Sequence, residues 1–434
     1  MIKVLKFGGT SVGSAANMKK VAEIVRREQA RITVLSAMSG TTDSLVRISR
    51  AAASGDRNAI EEQLAMLTDK YTRCIEELLR ERKQQALARM NATFGLIRDE
   101  AAAFEEYESE RKIIAQGELL TSAIFTAYLQ ETGLKAECLY SPDFMVKDPG
   151  EKVDTERIGR ALARVAGDDS TFFVAQGFIC SDSQGRIDNL GRGGSDYSAA
   201  LMGAAAEAAE VQIWTDIDGM HNNDPRFVDN TRPIRTMSFD EAAELAYFGA
   251  KILHPATIQP CKDHGIAVLL KNTMDPEAPG TTISNRDDDT KSFHAVAAKD
   301  GITVIRIHSA RMLMAYGFLR KVFEIFEQYR TPIDMITTSE VAVSLTVDND
   351  THIDEIVRDL SALGSIEIER GNSIVCVVGR MEHGDAGLAA RVFECVRGVP
   401  IKMISYGASH RSLAILIDTE HKKRTLQCLN DGLF

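Results

Sequence analysis

Lysine and two glycines follow the first apolar run of the chain, in the stretch KFGGTSVGS that begins at Lys6. Gly8 and Gly9 leave backbone N–H groups open to close approach by an anion, and Lys6 adds a positive charge at the strand end. If that strand belongs to a parallel sheet, this is the edge at which open α/β sheets bind ligands. The stretch is therefore a candidate phosphate site. Taken alone, it is explained better by a plain strand-to-helix turn with an exposed lysine.

A second anion site is predicted in LGRGGSDYSAALMGAAAEAA, which begins at Leu190. Arg192 precedes two glycines and a long alanine-rich helix that Ser195 or Asp196 can cap. A helix N-terminus binds anions, and an arginine can hold a carboxylate through two hydrogen bonds. A capped helix beside a solvated arginine explains the same residues without a ligand, because an acidic residue stabilises a helix N-terminus in any case.

Polar residues also follow a third apolar strand, in IWTDIDGMHNNDPR. Thr215 and Asp216 end the strand, and His221 and Arg226 lie in the turn after it. The stretch FGAKILHPA then places Lys251 at a helix end. A cation is favourable there without any function, so Lys251 also has a purely structural explanation.

Glu118 is predicted at the start of an apolar helix, in AQGELLTSAIF. A carboxylate at that place is a candidate for binding an ammonium group. Its structural explanation is the favourable interaction of an acidic side chain with the positive end of a helix.

Three familiar ligand loops are excluded by the sequence. It has no GxxxxGK[ST] and no GxGxxG after the first strand, so neither a P-loop nor a dinucleotide fingerprint is supported. DIDGMHNND resembles a calcium loop, but placing Gly219 at the sixth position puts Trp214 and Pro225 where oxygen ligands are required.

The elements that would position these residues alternate between strands and helices. Apolar runs predict strands at Ile2–Phe7 and Arg31–Leu35, and the spacing of Ser14–Arg27 predicts an amphipathic helix between them. Strand, helix, strand indicates a parallel sheet. The pattern is helical from about Asp43 to Glu110, and further strands are predicted at Thr171–Val174, Val211–Trp214 and Ile266–Leu270. The first part of the chain is therefore interpreted as one large α/β domain.

The last third of the chain contains an internal repeat. The charged stretch SNRDDDTKS, which begins at Ser284, marks the domain boundary. GFLRKVFEIFEQYRTPIDMITTS, from Gly317, is echoed by GLAARVFECVRGVPIKMISYGAS, from Gly387, and their Pro-Ile pairs lie 68 residues apart. Each copy is predicted to contain a helix and two strands. Copies of this size are small for independent cores, so they are expected to pack on each other or on another subunit.

The bulk composition favours an ordinary globular protein. The 434 residues are 44% hydrophobic and 26% charged, with a net charge of −11, so nucleic acid and anionic membranes are not expected partners. No apolar run reaches the ~18 residues of a membrane span, and no signal pattern opens the chain. The seven cysteines include no CxxC and are interpreted as reduced structural thiols. We expect a cytoplasmic protein without a metal site of its own.

Taken together, the motifs resemble those of the aspartokinases, in the amino acid kinase superfamily. The resemblance rests on KFGGTSVGS, VLSAMSGTTDSL, GELLTS, QGFI, LGRGGSDYSAA, WTDIDGMHNNDPR and FGAKILHPAT, which occur in that family's order and spacing. It implies a three-layer αβα kinase domain with a mainly parallel sheet over residues 1–285. Two α+β, ferredoxin-like ACT domains would follow. Residues 286–300 would supply a linker and the first strand of the second ACT domain, 301–369 the first ACT domain, and 370–434 the rest of the second.

The resemblance implies ATP-dependent phosphorylation of the L-aspartate side chain to 4-phospho-L-aspartate, the entry to lysine, threonine and methionine synthesis. Mg²⁺ would enter with ATP as the substrate complex, and no tightly bound cofactor is expected. The transferred phosphoryl group would meet Lys6, Gly8 and Gly9, with Asp196 orienting Lys6. Aspartate would be held by Thr42, Glu118, Phe178, Arg192 and Ser195. The nucleotide would be held by Ser36, Thr215, Asp216, His221, Arg226 and Lys251. The family commonly has an aromatic residue where this chain has His221, so nucleotide affinity could become pH-dependent near pH 6.5.

The resemblance is closest to the lysine-sensitive members and implies feedback inhibition by L-lysine at the first ACT domain. The matching stretch comprises Met312, Gly317, Phe318, Leu319, Asp334, Ser339, Glu340 and Val341. Asp334 could pair with the effector's ε-ammonium group. The echo of that position in the second copy is Lys402, so only the first copy is expected to bind lysine. ACT pairing implies a homodimer or a tetramer, and dimerisation alone is the structural explanation of both copies.

Two other functions remain open. One is a sister kinase that acts on glutamate, carbamate or a nucleotide. The other is an inactive amino-acid sensor in which the ACT pair is the working part.

Overall fold

The computed structural model describes residues 1–150, 152–168, 170–191, 193–249, 253–286, 292–309, 316–381 and 387–434. The chain forms two compact units. Within the described residues, the first contains Met1–Met220, Arg235–Phe239 and Leu253–Arg286. The second contains most of the remaining chain, including His221–Ile234 and the C-terminal third. The domain boundaries inferred from the sequence stay a prediction.

The described elements follow in chain order. They are β1 (Lys3–Phe7), α1 (Ala15–Glu28), β2 (Ile32–Leu35), α2 (Thr41–Ser54), α3 (Arg57–Leu78), α4 (Lys83–Ala102), α5 (Glu106–Glu131), β3 (Ala136–Cys138), α6 (Thr155–Gly167), β4 (Phe172–Gln176), β5 (Ile179–Ser181), β6 (Ile187–Asn189), α7 (Gly194–Ala205), β7 (Glu210–Thr215), β8 (Thr236–Ser238), α8 (Phe239–Tyr247), α9 (Pro255–Asp263), β9 (Ala267–Asn272), β10 (Thr281–Ser284), β11 (Phe293–His308), α10 (Phe318–Gln328), β12 (Ile336–Thr338), β13 (Ala342–Val347), α11 (Ile353–Leu360), β14 (Ser365–Gly379), α12 (Leu388–Cys395), β15 (Met403–Tyr406), β16 (Ser412–Asp418) and α13 (Lys422–Leu433).

The first unit is built on an eight-stranded sheet in the order β3-β4-β2-β1-β7-β9-β10-β8. Every pair in it is parallel except β9 with β10. The central strands β1, β2 and β7 are buried along almost their whole length, as expected for strands covered on both faces. The expected mainly parallel α/β fold is confirmed.

The side chains of β1 point alternately to the two faces of that sheet. Leu5 and Phe7 belong to the large core shared with α1–α5. Lys6 points the opposite way, because successive side chains of a strand face opposite sides, and there its ammonium meets α7. The helices therefore form two layers, with the sheet between them.

The second unit contains a six-stranded sheet in the order β12-β13-β11-β14-β16-β15. The long strands β11 and β14 pair antiparallel along their whole length, with register shifts between Lys299 and Val304. Helices α10 and α11 cover a core beneath β13, and α12 and α13 cover a second core beneath β16. Two α+β copies thus share one sheet, and the expected pair of ACT-like folds is confirmed.

None of the helices in the part of the chain that the structure describes is both long and apolar enough to cross a bilayer.

Candidate active site

A cavity of about 280 Å³ opens at the carboxyl edge of the first unit's sheet. Three neighbouring parallel strands, β1, β2 and β4, end at this edge, which is where α/β sheets bind ligands. Seven residues predicted from the sequence line the cavity: Lys6, Ser36, Thr42, Glu118, Phe178, Ser195 and Asp196. The chain brings them together from five separate segments.

Lys6 supplies the cavity's buried cation. Its Nζ lies 2.7 Å from Asp196 Oδ1, and both side chains are about nine-tenths buried. The pair joins the end of β1 to the first turn of α7. Because one ion pair does not use all three N–H donors of an ammonium group, Lys6 keeps capacity for an anion in the cavity.

The glycines beside Lys6 permit close packing of the opening loop. The Gly8 N–H donates to the Trp214 carbonyl at 3.2 Å, which ties the loop to β7. A side chain at Gly9 would place its Cβ 2.8 Å from the Ala37 carbonyl oxygen, so this position has no room for one. The two glycines therefore let the loops after β1 and β2 lie side by side.

Glu118 lies in the middle of α5 and not at a helix start, so its explanation as a helix-dipole carboxylate is wrong. The residue is 3% exposed. Its Oε1 accepts the Ala37 N–H at 3.2 Å, while Oε2 is buried without a hydrogen-bond partner among the described residues. Burial raises the pKa of Glu118 to about 7, against a smaller opposing effect of the Ala37 hydrogen bond. The free oxygen is suited to a buried ammonium group.

The wall opposite Glu118 is formed by α7 and the turn after β4. The Ser36 hydroxyl donates to Ser195 Oγ at 3.0 Å, and the Phe178 N–H donates to Ser198 Oγ at 3.0 Å. Phe178 has a φ of 66°, an unusual conformation for a bulky residue. Such strain is often found at functional sites.

The predicted side-chain cap of α7 is wrong. Gly193 occupies the N-cap position with a φ of 71°, and Ser195 and Asp196 lie within the first turn. A glycine cap carries no side chain, and Gly191, Gly193 and Gly194 also line the cavity. The Gly194 and Asp196 N–H groups already donate to the Gly191 and Gly193 carbonyls at 3.0 Å. The anion site expected at this helix N-terminus therefore stays a prediction.

A buried hydroxyl network supports the loop after β2. The Met38 N–H donates to Thr121 Oγ1 at 3.2 Å, and Tyr71 Oη lies 3.2 Å from Thr41 Oγ1 and 3.3 Å from Thr121 Oγ1. Burial raises the pKa of Tyr71 to about 12, so its hydroxyl stays protonated at neutral pH. Lys70 donates to the Ser39 carbonyl of the same loop. This support holds Ser36 and Thr42 at the cavity.

The predicted nucleotide residues that the structure describes are divided between the two units. Thr215 and Asp216 lie at and just after the end of β7, beside β1 at the same sheet edge. His221 and Arg226 belong to the second unit. There His221 Nδ1 lies 3.0 Å from Thr231 Oγ1, and Arg226 pairs with Asp224 at 2.7 Å. Arg192 and Lys251 lie outside the described residues.

The predicted regulatory residues lie in the first ACT-like copy. Gly317, Phe318 and Leu319 begin α10, and Ser339, Glu340 and Val341 form the turn between β12 and β13. Met312 lies outside the described residues.

Asp334 is the buried acid of that copy, with its side chain 1% exposed. Its Oδ1 accepts from Lys299 Nζ at 2.7 Å and from the Tyr247 hydroxyl at 2.9 Å. Lys299 also lies 2.8 Å from Asp348. Burial raises the pKa of Asp334, although the bonds from Lys299 and Tyr247 oppose that rise. Its Oδ2 has no hydrogen-bond partner within the described segments.

The second copy has a cluster at equivalent positions. The Asp334 N–H donates to the Thr346 carbonyl, and the Lys402 N–H donates in the same way to Leu416. Lys402 then pairs with Glu369 and Asp418 and donates to Asn372 Oδ1 at 2.8 Å. Arg306 also pairs with Glu369 at 2.7 Å. In the second copy, the cations Lys402 and Arg306 balance the carboxylates Glu369 and Asp418. In the first copy, Lys299 is the one cation, among the described residues, that pairs with Asp334 and Asp348.

Comparison with known proteins identifies the family. The amino acid kinase family profile matches residues 1–272, and an ACT domain profile matches residues 375–433. Lysine-sensitive aspartokinase 3 of Escherichia coli is 34% identical over 100% of this chain and 99% of its own length. The chain belongs to the aspartokinase family.

Two solved structures of E. coli aspartokinase III share this aspartokinase fold. The complex with aspartate and ADP superposes with a TM-score of 0.86 at 33% identity, covering 100% of both chains. The complex with lysine and aspartate gives a TM-score of 0.83 at 33% identity, covering 100% of this chain and 99% of that one.

Sequence reasoning missed several supporting residues of this aspartokinase. Tyr247 contacts the predicted Asp334, and Tyr71 and Thr121 support the loop after β2 that carries Ser36 and Thr42. Thr121 lies in the motif GELLTS, but Tyr71 and Tyr247 lie in none of the motifs, so only the folded structure reveals their contacts. The glycines at positions 191, 193 and 194 were visible within the predicted motif but not as cavity lining.

Proposed function

We propose that this chain transfers the γ-phosphoryl group of ATP to the side-chain carboxylate of L-aspartate, forming 4-phospho-L-aspartate. The observation that carries the proposal is the cavity that presents a paired lysine and an unpaired buried carboxylate oxygen together. Family membership and the aspartate- and ADP-bound relative support the same reaction.

The reaction needs charge neutralisation more than proton transfer. An aspartate side chain with an ordinary pKa of ~3.9 is already ionised at neutral pH, so no general base is required. One of its oxygens forms a bond to the γ-phosphorus while the bond to the β–γ bridging oxygen breaks, and ADP leaves. Two anions must meet in line, and phosphoryl transfer depends largely on positioning and electrostatic stabilisation.

Lys6 and the Gly9 N–H are proposed to stabilise the moving phosphoryl group. Lys6 enters the cavity from β1, and Asp196 holds its ammonium at 2.7 Å. Gly8 and Gly9 permit the loop to approach the substrate closely. Lys251 is proposed to add a second positive charge, and Mg²⁺ enters with ATP.

The amino acid is proposed to bind between Glu118 and α7. Glu118 Oε2 would accept from the α-ammonium group, which gives the buried oxygen the partner that it lacks. Arg192 would hold the α-carboxylate beside the N-terminus of α7. Thr42, Phe178 and Ser195 would complete the contacts around the side chain. The nucleotide would be held by Ser36, Thr215, Asp216, His221, Arg226 and Lys251.

An acyl phosphate assay tests the reaction. Hydroxylamine trapping of the product should give a signal with ATP and L-aspartate and a far weaker one with L-glutamate, together with stoichiometric ADP. A stronger glutamate signal would favour a sister kinase. Absence of ADP formation with any amino acid would favour an inactive sensor.

We also propose feedback inhibition by L-lysine at the first ACT-like copy. Asp334 keeps a free buried oxygen there, while the equivalent Lys402 and its partners are balanced in charge. A lysine-bound relative of the same fold supports this assignment. Titration of L-lysine against turnover tests it, and undiminished activity at millimolar lysine would contradict it.

A homodimer through the ACT-like copies is part of the proposal. The sheet's two edge strands, β12 and β15, expose the apolar side chains of Ile336 and Ile404. Exposed apolar edge strands favour association with a second chain. Sedimentation with and without lysine would distinguish a dimer from a tetramer, and a monomer would contradict the proposal. The cytoplasmic location stays a prediction.

A further inference from the structure

A buried ion cluster joins two walls of the cavity at a distance from the predicted ligand contacts. Asp188 is 5% exposed. Its Oδ1 accepts from Arg111 Nε at 2.6 Å and from the Asn189 N–H at 2.7 Å, and its Oδ2 lies 2.9 Å from Lys147 Nζ. The Arg111 guanidinium also stacks 3.4 Å from the centre of the Tyr107 ring. Both oxygens of Asp188 are therefore engaged.

The members of this cluster come from elements that carry substrate residues. Arg111 lies on α5, two helical turns before Glu118, and therefore on nearly the same helix face. Asp188 lies on β6, and a chain of hydrogen bonds continues from it towards the cavity. Asn189 Oδ1 accepts the N–H of Gly191, which lines the cavity. Lys147 is anchored beside β5, because its N–H donates to the Ser181 carbonyl at 2.8 Å.

A gain in stability alone does not explain why charged groups connect α5 to β6. Apolar residues of similar volume often join two elements at least as stably, because desolvation offsets much of the attraction between buried ions. Hydrogen-bonded ions also fix the relative position of the two elements, because an arginine and an ammonium group hold a carboxylate within a narrow range of distances and angles. Burial favours the neutral acid, but the bonds from Lys147, Asn189 and Arg111 hold the pKa of Asp188 below its ordinary value. The Asp188 carboxylate therefore stays ionised at neutral pH.

We propose that Asp188 is a positioning residue for the amino acid substrate. Through Arg111 it fixes α5, and through Asn189 it fixes the turn that ends at Gly191. It thereby sets the separation between Glu118 and the N-terminus of α7, the two sides that would hold the α-ammonium and α-carboxylate groups. This inference rests on the proposed aspartate kinase function and adds a residue that touches neither substrate.

The test is a comparison of Michaelis constants in the full-length protein. D188N keeps the shape but removes the charge that holds Arg111 and Lys147. We expect the aspartate KM to rise at least tenfold, with the ATP KM changed less than twofold and kcat less than threefold. D182N is the matched control, because Asp182 pairs with Arg186 at the exposed end of the same hairpin. Its constants should stay within twofold of wild type.

The outcomes separate positioning from simple structural support. A lower melting temperature with an unchanged aspartate KM would overturn the inference, as would an equal rise in both Michaelis constants. If D188N does not fold, R111Q at the more exposed end of the cluster replaces it, and a selective rise of at least threefold in the aspartate KM is expected. Absence of aspartate turnover in the wild type would contradict the proposed function, and aspartate calorimetry on wild type and variant would then test the inference directly.

Discussion

Each unit of the molecule contains a lysine–aspartate pair at 2.7 Å, and the two pairs differ in which partner has bonding capacity left. In the first unit, the ammonium of Lys6 lines the cavity, while Asp196 holds it from α7. In the second unit, one carboxylate oxygen of Asp334 has no hydrogen-bond partner among the described residues, while Lys299 also pairs with Asp348. The same ion pair can therefore serve an anionic ligand in one place and a cationic ligand in the other.

The two regions also differ in the hydrogen-bond partners of their buried acids, Glu118 and Asp334. Among the described residues, no cation hydrogen-bonds to Glu118, and burial raises the pKa of Glu118 to about 7. Asp334 has a cation and a tyrosine on one oxygen. At the proposed substrate site, the acid is thus ready for an ammonium group from the ligand. The proposed regulatory site already holds an internal ammonium group, so the proposed effector would have to share or displace it.

The largest expected effect comes from the first of the two pairs. K6A should lower kcat at least a hundredfold, because a preorganised contact of this kind contributes about 3 kcal/mol in the transition state. Steady-state kinetics at saturating ATP and aspartate would measure it. K3A is the control, since Lys3 lies on the same strand but pairs with Glu28 and Glu210. Near-normal turnover by folded K6A would remove Lys6 from catalysis.

The next effect concerns the acid without a cation. E118Q should raise the aspartate KM roughly ten- to a hundredfold, because a hydrogen bond to a charged group contributes about 1.5–3 kcal/mol. In the wild type, the aspartate KM should rise as the pH falls below about 7, since protonated Glu118 cannot pair with an ammonium group. E118Q should lose that dependence. A wild-type KM that is flat from pH 5.5 to 8, or an unchanged KM in E118Q, would count against the assignment.

Substitution in the regulatory pair should change inhibition without changing basal turnover. D334N should raise the lysine concentration for half-inhibition about tenfold, because the free oxygen loses its charge. K402Q neutralises the equivalent position of the second copy and should leave the lysine response within twofold of wild type. Inhibition curves at fixed substrate would measure both. A larger effect from K402Q than from D334N would reverse the comparison between the copies.

The smallest effect is expected from the tyrosine that shares Asp334 with Lys299. Y247F removes one hydrogen bond to the carboxylate, worth about 1 kcal/mol, and should lower the half-inhibitory lysine concentration roughly two- to fivefold. Y329F is the matched control, because Tyr329 makes the same bond to Asp359 on the surface of the same copy. Identical lysine responses in both variants would show that Tyr247 does not compete with the effector.

Local sequence patterns predicted the elements closely. The apolar run at Ile2–Phe7 is β1, and the amphipathic stretch at Ser14–Arg27 is α1, which Ser14 caps. Gly193 occupies the N-cap position of α7 that was predicted for Ser195 or Asp196, because the φ of 71° at that position is most favourable for glycine. The position of Glu118 within a helix was also misjudged, since α5 extends twelve residues ahead of it without a marked change of pattern.

By itself, the sequence determined the main strands and helices of the first unit, the repeat near the C-terminus and the set of polar residues at strand ends, but it missed the short strands β3, β5, β6, β8 and β10 and the second helix of each repeat copy. The predicted features depend on local periodicity and spacing, which a single chain displays directly. Only the tertiary structure decided which charges are buried and which of their atoms lack partners. Desolvation depends on neighbours from distant segments, as at Glu118, Asp188 and Asp334. Those neighbours distinguish a site awaiting a ligand from one whose charges are already balanced.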